Sequence, residues 1–127
     1  MNIDELIKKY DLKEDSYYTE SPYSKPRNEE ESAFCNKEYK RLNEKFKNHI
    51  PKGWYGFGGL GYPIPLIWFK VLEEFTDNLV EAFPDIELLQ IKIKFSGLRF
   101  YTNSNLSKVR EAISKLEKVL SDKFLIY

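Results

Sequence analysis

The chain holds a single cysteine, a single histidine and a single methionine among its 127 residues. One Cys excludes an internal disulfide framework, and one Cys with one His cannot build a Cys/His zinc site, so no metal is expected. Serine and cysteine hydrolysis normally uses a His base, and His49 is the sole candidate. Cys35 lies fourteen residues earlier on the same predicted helix, about 21 Å away at 1.5 Å per residue, so the two form no dyad. Excess charge of either sign is missing as well: Lys plus Arg is 20, Asp plus Glu is 20, and the formal net charge is +0. That balance argues against a generic polyanion binder. Long apolar runs are absent too. The longest, Ile64–Phe69, ends at Lys70, far short of the roughly 20 residues that span a bilayer. The start, Met1–Leu6, is polar and acidic and lacks the apolar core of a secretory signal. A cytoplasmic protein without membrane contact is expected, and the unpaired Cys35 agrees with a reducing compartment.

What is present favours a packed core: 42% of residues are hydrophobic, and nine Tyr and nine Phe raise the aromatic share to 16%. The length fits one domain spanning 1–127. Charge is segregated along it. Residues 1–32 carry nine acids against five bases, and the remainder eleven acids against fifteen bases. The acidic leader either lies on the more basic body or offers a surface to a basic partner.

Ile3, Leu6, Ile7 and Tyr10 predict a short amphipathic helix over 2–10. Residues 11–28, with Ser16, Ser21, Pro22, Ser24 and Pro26, read as a polar loop. It contains Tyr17, Tyr18 and Tyr23, which either pack down to pin the loop or serve as contact residues, since Tyr is enriched at binding hot spots. Glu29-Glu30-Glu31 opens a helix whose stripe of Cys35, Tyr39, Leu42, Phe46 and His49 or Ile50 carries it to about residue 49. On that stripe Cys35 is a small core filler. Residues 51–65 hold five of the six glycines and three of the six prolines, so they exclude a regular helix. The aromatics among them suggest a loop folded onto the core. Trp68, Val71, Leu72, Phe75, Leu79 and Phe83 trace a helix over about 65–83, started by Pro65 and stopped by Pro84. Leu106, Val109, Ile113, Leu116 and Leu120 trace the last helix, capped by Ser104 or Asn105. Phe124–Tyr127 is an apolar tail, read as a short strand beside the hairpin.

The clearest element is Leu88–Thr102. Leu89, Ile91, Ile93 and Phe95 alternate with Gln90, Lys92 and Lys94, and after Ser96-Gly97 the alternation resumes in Leu98–Thr102. A hairpin turning at Ser96-Gly97 sets Phe95 opposite Leu98 and Ile93 opposite Phe100 on the buried side. Gln90, Lys92, Lys94, Arg99 and Tyr101 then share the outer side, with Lys94 directly opposed to Arg99. Facing like charges destabilise a strand pair, which implies an anionic counterpart, internal or external. The fold class is therefore α+β: helices packed on one face of a small antiparallel sheet built around a hairpin, in the order α-α-(loop)-α-β-β-α.

Gly56-Phe57-Gly58-Gly59-Leu60-Gly61 matches Gly-x-Gly-x-x-Gly by letter, but the dinucleotide motif needs a strand before it and a helix opening from its glycines. Here a helix and Pro51 precede it, and Tyr62-Pro63-Ile64-Pro65 separates it from the next helix. No nucleotide cofactor is expected. Carboxylates such as Glu73 and Asp77 fit an exposed helical face, and nothing marks them as an acid/base couple.

Gln90–Tyr101 resembles the Gln-Ile-Lys-Glu-Lys-Phe-Gly-Gly-Leu-Arg-Phe-Tyr segment of a loose group of small bacterial and phage proteins. Some of those carry a Gly-Trp and an apolar helix upstream, to which Gly53-Trp54 and the helix over 65–83 are similar. The resemblance covers about 53–102, with Ile93 where the group has Glu, Ser96 where it has Gly, and no downstream Cys pairs. It implies the hairpin and a bacterial or phage origin, and it carries no activity with it.

Small size, segregated charge, no catalytic set and tyrosine- and glycine-rich loops lead to a non-enzymatic binding protein as the expectation. Its sharpest form is a bacterial immunity protein that binds and neutralises a toxin domain through Tyr17, Tyr18, Tyr23, Lys92, Lys94, Arg99 and Tyr101. The alternative is a nucleic-acid-binding accessory protein of a phage or mobile element, with bases stacked on Tyr101 and phosphates on the cations.

Overall fold

Helix α1, Glu29–Lys45, buries Cys35 and Leu42 along one stripe, which Phe46 just beyond its end continues. The structure is a computed structural model describing residues 29–58, 64, 68–94 and 97–125, with the backbone alone at 31, 119 and 121–125. The helix expected over 2–10 and the loop 11–28 lie outside those residues. α1 stops at Lys45, one turn before the expected end, and a 3-10 turn, Lys47–His49, replaces its continuation. Bonds from His49 N to Phe46 O (2.8 Å) and Ile50 N to Lys47 O (3.2 Å) tighten the chain. His49 Nδ1 then donates to Ile86 O at 3.1 Å, tying this turn to the entry of strand β2.

Strand β1 is only Gly56–Phe57; helix α2, Trp68–Ala82, strands β2, Leu88–Lys94, and β3, Gly97–Thr102, and helix α3, Ser107–Leu125, follow. The described chain is thus an α+β arrangement of three helices and a three-stranded mixed sheet in the order β1-β2-β3. β1 runs parallel to β2, and β2 antiparallel to β3. This corrects the all-antiparallel expectation: the third strand comes from the glycine segment, with α2 in the crossover that parallel neighbours require. Of the tail expected as a strand, Phe124 and Leu125 instead end α3, and residues 126–127 lie outside the described residues.

The hairpin exists, but its register differs from expectation by two residues. Ile93 faces Leu98, Ile91 faces Phe100, Lys92 faces Arg99 and Lys94 faces Gly97. Gly97 is therefore the first residue of β3 rather than part of the turn; Phe95 and Ser96 lie outside the described residues. A shift of two keeps every side chain on its face, so the period-2 pattern fits both registers equally. A bulge between Leu88 and Gln90 reverses parity at the start of β2, burying Leu88 completely and leaving Leu89 half-buried.

Ile91, Ile93, Leu98 and Phe100 join α2 (Trp68, Phe69, Val71, Leu72, Phe75, Leu79) and α3 (Val109, Ile113, Leu116, Leu120) in one cluster. Phe75 meets Phe100 edge to face, with ring centroids 5.3 Å apart. Thr76, the one buried hydroxyl on α2, donates to Leu72 O at 2.7 Å and so costs the core nothing unsatisfied. Leu106 departs from expectation: it precedes α3 and is 55% exposed. Its N–H donates to Ser104 Oγ (3.2 Å) and its carbonyl accepts the first helical bond, from Arg110 N (3.0 Å).

Across the exposed seam, α1 and α2 are joined by charge. Arg41 reaches Glu73 at 2.7 Å and Glu38 at 2.6 Å, while Lys45 bridges Glu73 (2.8 Å) and Asp77 (2.9 Å). The hydrogen bond from Arg41 holds the Glu73 carboxyl down to about 2, against an ordinary 4.5. A lowered folded-state value stabilises the fold above the ordinary pKa, and the gain is lost as pH falls toward 2. Because Arg41 and Lys45 are 42% and 39% exposed, screening reduces the contribution to about 1 kcal/mol. Glu73→Gln should therefore melt lower than the parent at pH 7, with the gap closing as pH falls from 4.5 toward 2. A gap that persists at pH 2 would show that Glu73 acts through packing and not charge.

Candidate functional site

Two groups of residues named in the sequence reading meet on the structure, and a third lies outside it. Lys92 and Arg99 face each other across the β2–β3 ladder. Phe100 N–H bonds away from β2, to Glu117 Oε2 at 2.8 Å, which makes Lys92–Arg99 a hydrogen-bonded pair with Cα atoms about 5.5 Å apart. Both side chains are half-buried, and among the described residues no carboxylate pairs with either. Among the described residues the Arg99 guanidinium donates to Leu98 O, at 3.1 Å, along its own strand. Tyr101, 40% exposed, stands on the same face opposite Gln90. Lys94 is exposed at the end of the hairpin, opposite Gly97 and not Arg99 as expected. Tyr17, Tyr18 and Tyr23 lie outside the described residues.

Gln90 corrects the outer-face expectation in another way: it is buried, because β1 lies against it. Its Nε2 donates to Gly58 O at 3.4 Å. The glycine segment is fixed by one ridge of α1, the residues Cys35, Tyr39 and Asn43 at steps of four, which share a helix face. The Asn43 amide acts as a surrogate strand for Phe57, accepting from Phe57 N at 2.7 Å and donating to Phe57 O at 3.0 Å. Gly56, at φ +64°, has no room for more than hydrogen: a Cβ there would sit 2.5 Å from Asn43 Oδ1. At Gly58, φ +90°, a Cβ would stand 3.2 Å from the Tyr39 ring. Tyr39 also accepts from Ile64 N at 2.8 Å, and its ring meets Phe69 at 5.5 Å.

These contacts account for glycine at 56 and 58. Phe57 N–H is held by Asn43, and Gly58 N–H by Ile91 O at 3.0 Å, so these two amides are engaged within the fold. Asn43 is the residue the sequence reading missed; its signal was the four-residue step from Tyr39. Cys35, on the same ridge, is a free thiol buried in the core. Burial pushes its thiol up, offset by the Tyr39 hydrogen bond, and burial pushes the Tyr39 phenol up as well. A thiol held neutral is a poor nucleophile. Among the described residues no group of three or more His, Cys, Asp or Glu is placed to hold a metal ion, and no helix is long and apolar enough to cross a membrane.

Side chains engage part of each edge of the sheet. Asn43 covers β1, while Glu117 and Arg99 engage the outward N–H of Phe100 and C=O of Leu98 on β3. A strand adding at either edge would have to compete with these bonds. Of the aromatics of 51–65 expected to fold onto the core, Phe57 does so, whereas Trp54 and Tyr55, just before β1, are 51% and 53% exposed and correct the expectation there; Tyr62 lies outside the described residues. No family model, no curated protein and no solved structure matches the chain.

Proposed function

We propose that the protein is a non-enzymatic binding protein that docks on an acidic surface of another protein, acting as an immunity protein that blocks a toxin domain. The observation that carries this reading is the half-buried Lys92–Arg99 pair, which no carboxylate among the described residues neutralises. Opposed cations cost stability in the free chain and gain it back only when an anion arrives. The neighbouring Tyr101 adds rigid contact area of the type found at interface hot spots. A net charge of +0 weighs against duplex or single-stranded nucleic acid as the anion, since such binding draws on many cations.

The test is affinity isolation from the native host at low salt, with the parent and the Lys92→Glu/Arg99→Glu variant as parallel baits and nuclease in both lysates. A protein held by the parent and lost by the variant, and then shown with purified components to lose its own activity on binding, supports the reading. Retention of nuclease-sensitive material alone would replace it with nucleic-acid binding, and identical retention by both baits would overturn it.

A further inference from the structure

Three strands align one residue from each: Gly56 pairs with Gln90, and Gln90 with Tyr101. At about 4.8 Å between strands, the backbone of Tyr55 beside Gly56 lies about 10 Å from that of Tyr101. Trp54 and Tyr55 are presented by a tight turn, closed by Trp54 N to Pro51 O at 3.1 Å, with Gly53 at φ +89° as the third turn position requires. Three exposed aromatics thus stand at one end of the sheet, and the Lys92–Arg99 pair lies two residues further along β2 and β3. Trp, Tyr and Arg are the side chains that dominate interface energetics, and a turn fixed before binding loses little entropy on docking.

From this juxtaposition we infer that Trp54 and Tyr55 belong to the same docking footprint as Lys92 and Arg99, and that its occupant is a protein segment setting an Asp or Glu beside an apolar side chain. The inference rests on the binding reading above and extends it. Lys92 lies one strand across and three residues along from Tyr55, about 11 Å between backbones, so carboxylate and apolar group should stand about three residues of extended chain apart. Charge complementarity selects the acid, and the exposed indole and phenol rings select its apolar neighbour.

A library of random 12-residue peptides displayed on phage, panned against the purified full-length protein, tests this. The enriched peptides are expected to carry Asp or Glu about three residues from an aromatic or branched aliphatic residue. Their affinity should fall at least tenfold for Trp54→Ala/Tyr55→Ala and for Lys92→Glu/Arg99→Glu. The chain has two tryptophans, one 51% exposed and the other, Trp68, fully buried, so acrylamide quenching reports Trp54. Binding should remove the quenchable component. Peptides lost by the charge variant but kept by the aromatic variant, with quenching unchanged, would overturn the shared footprint and leave the hairpin reading standing. Peptides indifferent to both variants would overturn both. Anisotropy of a labelled 20-nucleotide single strand that rises with the protein at 150 mM salt would make nucleic acid the occupant and overturn the inference.

Discussion

Replacing Gly56 with alanine is expected to destabilise the fold by about 3–4 kcal/mol, a large share of the 5–15 kcal/mol typical of a domain. The left-handed φ of +64° costs an L-residue about 1–2 kcal/mol. The added Cβ would lie 2.5 Å from Asn43 Oδ1 and 2.6 Å from Ile50 Cδ1, displacing the amide that holds Phe57 on both sides. Losing those two bonds adds about 1 kcal/mol each. Gly53 is the internal control. It has φ +89° with nothing within 4 Å of the would-be Cβ, so Gly53→Ala should cost only the backbone part, about 1–2 kcal/mol. Asn43→Ala removes the same two bonds from the other side and should cost about 2–3 kcal/mol. Because both changes break one lock, Gly56→Ala/Asn43→Ala should cost clearly less than the sum. Urea melts of the four variants decide the matter, and equal losses at Gly53 and Gly56 would refute the Asn43 grip.

Charge reversal on the hairpin is expected to give the other large effect, this time on binding and not on folding. Truncating one partner of a desolvated charge pair costs about 2–5 kcal/mol, so placing two carboxylates against an acidic surface should weaken a purified complex by well over 100-fold. Most of that loss should appear as faster dissociation, since the contact is half-buried, while association falls modestly and less at high salt. Lys108→Glu, on the exposed side of α3, supplies a charge change of the same sign away from the hairpin and should leave affinity within about twofold. Surface plasmon resonance at 50 and 300 mM salt separates these outcomes. Equal weakening by Lys108→Glu would mean that overall charge, not the hairpin face, governs the contact.

Periodicity made much of the fold legible. The apolar spacing of α2 and α3 and the alternation of Leu88–Thr102 follow directly from side chains that must share a face. What alternation cannot distinguish is a slip of two. The pairing of Lys92 with Arg99, in place of Lys94, depends on which residues close the turn. β1 was illegible for a different reason. Gly56 and Phe57 have no strand pattern of their own, and they are held as a strand by Gln90 and Ile91 on one side and the Asn43 side chain on the other. Leu106 fits the helical stripe by spacing, yet its N–H bonds to Ser104 Oγ and the helix begins after it. For the site, the face shared by Lys92, Lys94, Arg99 and Tyr101 was readable from parity alone. The exposure of Trp54 and Tyr55 was not, because it depends on a turn whose direction is set by Gly53.

The stability of the free protein after Lys92→Glu, measured by urea unfolding at 20 mM and 500 mM salt, tests most directly whether the hairpin holds an uncompensated cation pair. A glutamate opposite Arg99 turns repulsion into attraction, so the variant should be more stable than the parent by about 0.5–1 kcal/mol at low salt, with the gain shrinking at high salt. A variant less stable than its parent at low salt would mean that Lys92 already has its anion within the chain, and the proposed binding face would be contradicted.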